Sequence, residues 1–279
     1  MNLFTSQLLK PFQKKQVIKV ISGLNNLDIH SIISIVKSAE ISNAHYIDIV
    51  ANPQIVSFVK KISDIPICVS SIDPLELYNC SIAGADILEI GNFDYFYSQN
   101  IIFSISEILK LAKETRYLIN NKDICVTIPH VLSLYDQVCL SKKLEDLGIN
   151  ILQTEGYFCN EDLIMYIQDN KHQSDNDIIF RSIKASAAAL SSTYAISNAV
   201  NLPVITASGI NYISSSMAVL CGASGIGLGS NLKKQKTIYN MSCYIDEMYY
   251  SMISQVNLHS FNNLLLLINK ESKNLCLVY

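Results

Sequence analysis

Charge is scarce in this sequence: 16% of its 279 residues are Asp, Glu, Lys or Arg, where an average soluble protein has roughly 25%. With 49% apolar residues, the chain is excluded from the disordered class and has ample side chain for a sizeable core. A formal net charge of -3 and a pI of about 5.9 leave no broad basic field, so nucleic acid is not expected as a partner. The one dense basic run, Lys233, Lys234 and Lys236, reads as a solvated face. Long apolar runs are also missing. The longest aliphatic stretch, Leu264 to Ile268, falls far short of the roughly 20 residues that cross a bilayer, and no membrane partner is expected. The first sixteen residues have neither a signal-like apolar region nor an excess of Arg, so a soluble, unprocessed chain is expected. The eight cysteines include no C-x-x-C pair. They read as reduced structural thiols, and no metal site is expected.

What is present is one pattern, repeated eight times. Short β-branched runs cover residues 17–22, 46–50, 66–70, 86–90, 124–128, 150–154, 203–207 and 225–229, each followed by a segment with apolar residues at helical spacing. Asn52-Pro53 and Asp73-Pro74 set a capping side chain just before a proline suited to the first helical turn. Strict alternation argues for parallel strands with crossover helices, and eight such units close naturally into a (β/α)8 TIM barrel of one domain, 1–279. An open doubly wound sheet is the rival, but GIGLGS reads G-x-G-x-G-S and falls in the last unit instead of the first. Residues 156–181 read as an insertion after strand six, lying over the active face. The first dozen residues read as a helix plugging the bottom, and 232–270 as the last helices.

Four of the ten glycines crowd into residues 222–230. In such barrels the turns after strands seven and eight often build a phosphate site from backbone N–H groups. Ser208 and Gly209 follow strand seven; Gly227, Gly229 and Ser230 end strand eight. These five are the expected phosphate-binding residues, although tight turns and close packing would by themselves explain one or two glycines. The pattern over 203–230 resembles the phosphate-binding barrels that include tryptophan-pathway enzymes, thiazole synthase and sugar-phosphate epimerases. A flavin mononucleotide is allowed in the same place, though nothing in the sequence requires a cofactor.

Three strands carry a charge within an apolar run: Lys19 in VIKVIS, Asp48 in YIDIV and Glu89 in DILEI. Strand alternation can send all three toward the barrel axis, where a buried charge must pair or shift its pKa. Glu155 and His130 stand at the rim of strands six and five. Two readings stay open. One is an ion-pair network that merely fixes the barrel. The other is an acid-base centre with Asp48 and Glu89 transferring protons, Glu155 and His130 as rim partners, and Lys19 as a stabilising cation or, if its pKa falls, a Schiff-base nucleophile. Asn92, Asp94 and Thr154 are expected near substrate.

KVISGLNN (19–26), EIGNFDYFY (89–97), TIPH (127–130), QTEG (153–156) and ASGI (207–210) resemble, in order and across nearly the whole chain, the signature blocks of the hypothetical chloroplast reading frame family numbered twenty-three. The resemblance implies a plastid-encoded or cyanobacterial-type protein of the plastid stroma with a phosphate-barrel fold, and it implies no established activity. The segment after QTEG departs from the shorter Gly/Ser/Pro-rich loop expected of cyanobacterial relatives. Two kinds of function follow: an isomerase, lyase or synthase acting on a phosphorylated small molecule, or a noncatalytic sensor or scaffold for such a metabolite. A homo-oligomer is allowed.

Overall fold

In a computed structural model the chain is described over residues 3–23, 25–91, 93–97, 99–156 and 176–254, with backbone alone at 94, 95 and 176–183. Eight strands form a closed parallel barrel in chain order. They are β1 (Val17–Ile21), β2 (Tyr46–Val50), β3 (Ile67–Ser71), β4 (Ile87–Ile90), β5 (Asp123–Ile128), β6 (Ile151–Thr154), β7 (Val204–Thr206) and β8 (Gly225–Leu228). The helices are α1 (Ser6–Gln13), α2 (Ile29–Glu40), α3 (Pro53–Ile62), α4 (Pro74–Ala83), α5 (Asp94–Tyr97), α6 (Ile105–Leu118), α7 (Leu134–Asp146), α8 (Asn176–Ser197), α9 (Tyr212–Leu220), α10 (Ser230–Lys233) and α11 (238–254). The expected (β/α)8 TIM barrel is the observed fold. None of the described helices is long and apolar enough to cross a membrane.

The helices start where their capping chemistry places them. Asn52 accepts from the backbone of Gln54 and Ile55 just before Pro53, and Asp73 accepts from Leu75 just before Pro74. Ser104 and Glu107 close a reciprocal capping box at α6. Each cap satisfies amide groups that the first turn leaves without an intrahelical partner.

Both faces of every strand are buried, which is why the strands read as near-continuous β-branched runs. Outward residues such as Ile18, Val20, Ile47, Val69, Leu88, Val126 and Ile226 join the helices in one large apolar cluster. Inward residues divide by height. Val17, Tyr46, Cys68, Ile87, Cys125, Ile151 and Ile205 form a dry floor, closed from below by Leu8 and Phe12 of α1. The helix is held there by Asp123, whose carboxylate accepts from the backbone N–H groups of Phe4 and Thr5. The expected bottom plug is thus present. At such a floor the thiols of Cys68 and Cys125 are pushed well up by burial, consistent with inert packing groups.

The insertion expected over 156–181 falls mostly outside the described residues, and 176–181 are already the opening turns of α8. Asn92 and the side chain of Asp94 also lie outside the described residues; the backbone of Asp94 opens α5. Of the last helices expected over 232–270, α11 is described to residue 254 and the remainder lies outside.

Candidate active site

Period-two alternation lifts the next inward layer one step above the floor, and this layer is polar. Lys19 Nζ lies 2.8 Å from Asp48 Oδ2 and 2.5 Å from Glu89 Oε2, all buried. It donates also to Gln153 Oε1 at 2.8 Å. Gln153 Nε2 and Thr127 Oγ1 donate to Glu89 Oε1 at 2.8 and 3.0 Å, and Ser70 Oγ donates to Asp48 Oδ1 at 2.9 Å. Six strands therefore place one side chain each in a single hydrogen-bonded cluster around one ammonium group. The structure brings together Lys19, Asp48 and Glu89, the three charges singled out in the sequence. Gln153 was not singled out, although its place two residues before Glu155 puts both on the same strand face.

Electrostatics decide between the two roles open to Lys19. Burial pulls its ammonium down, but the carboxylates of Asp48 and Glu89 outweigh burial and hold it well above the ordinary lysine value. A Schiff-base nucleophile needs a neutral amine, so that alternative is set aside in favour of a fixed cation. Asp48 moves the other way from a usual ion-paired carboxylate. Burial raises it to about 6, against the pull of Lys19 and with Glu89 adding a like charge. A carboxyl poised there is suited to proton transfer near neutral pH.

The same shift has a consequence for stability. A folded-state pKa raised from 3.8 to about 6 means that Asp48 favours folding most below 3.8 and that this contribution is lost as pH rises through about 6. Asp48→Asn carries no such titration. We expect its stability relative to the natural protein to climb across that window and then level off, as urea unfolding at a series of pH values would measure. A difference independent of pH would show that Asp48 titrates normally.

A second group sits one strand layer higher, roughly 7 Å along β6. Glu155 Oε1 accepts from Tyr97 Oη at 2.6 Å and from the backbone N–H of His130 at 3.2 Å, with His130 Nδ1 also 3.2 Å away. The rings of Tyr97 and His130 meet edge to face. The two rim residues expected from the sequence are thus neighbours, and α5 delivers Tyr97, which the sequence did not single out, to the same oxygen.

Thr154 requires correction as a substrate contact. Gln153 and Glu155 face the axis, so Thr154 must face away. It lies buried against α8, with Oγ1 2.9 Å from Thr193 Oγ1, which in turn is 2.7 Å from Thr206 Oγ1. It ties the barrel to that helix.

The loops after β7 and β8 emerge side by side at the same mouth, because these strands are parallel neighbours, Thr206 opposite Ile226. Ser208 adopts φ 71°, a left-handed value unusual for a residue with a side chain, and such strain is tolerated where the surroundings hold it. The glycines divide into two kinds. A Cβ on Gly209 would stand 2.1 Å from the carbonyl oxygen of Ala185 in α8, and one on Gly227 would stand 3.0 Å from the Cβ of Ala207 and 3.1 Å from Ile21 Cδ1. Packing of the fold accounts for both. A Cβ on Gly229 would meet nothing nearer than Ile21 at 3.7 Å, so packing does not explain that glycine; its φ of -126° with ψ of -93° lies outside the α and β regions that residues with a side chain prefer. Ser230, exposed, opens α10 beside it.

Asp48, Cys68 and Glu89 could geometrically hold a metal ion among the described residues. The ammonium of Lys19 already stands between the two carboxylates, where such an ion would sit. Two clefts of about 270 and 460 Å³ open at the opposite end of the barrel, around Phe4. Neither is lined by any of these groups.

The model of a family described as "Protein of unknown function (DUF561)" matches residues 4–258. A protein of Antithamnion sp. named "Uncharacterized protein ycf23" is 49% identical over 268 residues, 95% of each chain. Among solved structures, thiamine phosphate pyrophosphorylase from Pyrococcus furiosus is 15% identical with a TM-score of 0.54, covering 87% of this chain and 98% of that one. The 3-hexulose-6-phosphate synthase from Salmonella typhimurium is 12% identical with a TM-score of 0.56, covering 86% and 99%. These two likenesses are of fold alone.

Proposed function

We propose, from the premise that this chain belongs to the DUF561 family, that it is an enzyme acting by proton transfer on a small phosphorylated metabolite, an isomerase, lyase or synthase. The observation that carries this reading is the buried cation of Lys19 held between Asp48 and Glu89, one layer below a mouth where Gly229 leaves backbone open. In this reading the loops of Ser208, Gly209, Gly227, Gly229 and Ser230 hold the phosphate. Asp48 and Glu89 move protons, Glu155 and His130 serve at the rim, and Lys19 stabilises the negative charge that develops on an enolate-like oxygen. The names of both solved neighbours carry a phosphate ester, which supports the substrate class by analogy. The name ycf23 of the Antithamnion relative agrees with the chloroplast reading-frame resemblance and supports a plastid setting, with the stroma as the proposed compartment.

The test begins with the small molecules that co-purify with the protein, identified by mass spectrometry, and continues with Gly229→Val. A side chain there meets no close atom and screens the amides, and circular dichroism with urea unfolding separates loss of binding from any cost of fitting valine to the Gly229 backbone angles. We expect binding of the co-purifying phosphorylated compound to fall at least tenfold, by the loss of one or two hydrogen bonds to a charged group. Unchanged binding would remove the phosphate site from these loops.

One observation favours a second reading. Lys19 has all three donors engaged, and both oxygens of Glu89 and of Asp48 have partners, as a purely architectural cluster would. In that case the protein is a sensor or scaffold for the same ligand. Conversion of the bound metabolite on incubation decides for the enzyme; a ligand returned unaltered, with affinity unmoved by Glu89→Gln, decides for the sensor. A flavin mononucleotide would supply redox chemistry from the same phosphate loops, and a colourless purified protein eliminates it.

A further inference from the structure

Lys233, exposed like Lys234 and Lys236, reaches toward the first loop of the barrel. At the end of α10 it turns back over the barrel, and its Nζ lies 2.5 Å from the position a Cβ on Gly23 would take. Gly23 follows β1, in the left-handed region at φ 97°, so the first loop is bare where the ammonium passes. Strands β1 and β8 are paired, Val20 opposite Leu228, and the ammonium, carried by the segment after β8, stands over the loop after β1. Partial loss of water pulls it below the ordinary lysine value, and the charge of Asp48 acts in the opposite sense. The two groups are therefore within electrostatic reach across the mouth. The Lys233 ammonium makes no hydrogen bond or ion pair among the described residues, whereas that of the next residue, Lys234, donates to Asn231 Oδ1 at 3.1 Å.

We propose that Lys233 is the cation that receives the dianionic phosphate of the substrate, closing between the β1 and β8 loops a cradle otherwise made of neutral backbone and hydroxyl groups. This rests on the phosphate reading of the mouth and adds its charge-selective element. A full positive charge strengthens the hold on a phosphate monoester dianion as it leaves water, beyond what backbone N–H groups supply. Lys19 cannot reach the phosphate, because it lies fully buried one layer below the mouth between Asp48 and Glu89. The site therefore selects dianionic monoesters over carboxylates or neutral sugars of the same size.

The experiment is calorimetric titration of the full chain with inorganic phosphate, comparing the natural protein with Lys233→Gln, Lys233→Arg and Lys234→Gln. Lys233 is exposed, so all three variants keep the fold, as circular dichroism would verify. The expected result is a loss of roughly tenfold or more for Lys233→Gln, substantial retention for Lys233→Arg, and no change for Lys234→Gln. Equal affinity of Lys233→Gln and the natural protein overturns the role of Lys233 while leaving the phosphate site standing. Equal losses in Lys233→Gln and Lys234→Gln reduce the effect to general surface charge and overturn it too. If the natural protein takes up no phosphate, the inference and the function it rests on fall together.

Discussion

Replacing Lys19 by methionine should destabilise the protein by about 3–5 kcal/mol at neutral pH, the range for breaking a buried ion pair and leaving its partner charged. The volume is nearly kept, so the loss is electrostatic. Asp48 and Glu89 would face each other in the barrel interior with no cation in contact, since Lys19 is the group that touches both. Two further variants separate this from ordinary packing damage. Adding Asp48→Asn and Glu89→Gln to Lys19→Met removes the stranded charges, and most of the stability should return. Acidification of the single variant should shrink its deficit, because protonated carboxyls need no counter-charge. Denaturant unfolding measures all three. A deficit below about 1 kcal/mol, the scale of an exposed pair, would mean that water reaches the cluster freely and that the buried charge balance described above is wrong. The outcome bears on function as well: a cluster this costly to unbalance holds its cation at a fixed point, as stabilisation of a developing oxyanion requires.

Gly209→Ala should be nearly as damaging, for a steric reason. The new methyl would lie 2.1 Å from the carbonyl oxygen and 2.5 Å from the carbonyl carbon of Ala185, in a residue at φ 68°. Either α8 or the loop after β7 must move. The left-handed conformation contributes about 1–2 kcal/mol and overpacking about 1–3 kcal/mol more, a total of about 2–5 kcal/mol. Gly148→Ala is the matched control. It has φ 76° with nothing within 4 Å of the added Cβ, so only the conformational part applies, about 1–2 kcal/mol. If both alanines cost the same, the close approach of α8 to the β7 loop does not exist in solution. Because Gly209 belongs to the proposed phosphate loop, the same variant would also displace that loop from the mouth.

The sequence alone determined the architecture, because the signals involved are local. Runs such as VIKVI and YIDIV are buried on both faces and cannot be anything but interior parallel strands once helices alternate with them, and Asn52-Pro53 or Asp73-Pro74 start helices by chemistry confined to three residues. Period two likewise put Lys19, Asp48 and Glu89 on an inward face, and applied to β6 it would have marked Gln153 with Glu155 and turned Thr154 outward. Tertiary structure alone decided the meetings. Lys19 and Gln153 are 134 positions apart, and their contact exists only because barrel closure fixes the stagger of every strand against the next. The same holds for Tyr97 with Glu155, for Gly209 under Ala185, and for Lys233 over Gly23. A residue pattern states which side of its own element a group occupies. It carries no record of what stands opposite, and pKa, glycine tolerance and charge balance are all properties of what stands opposite.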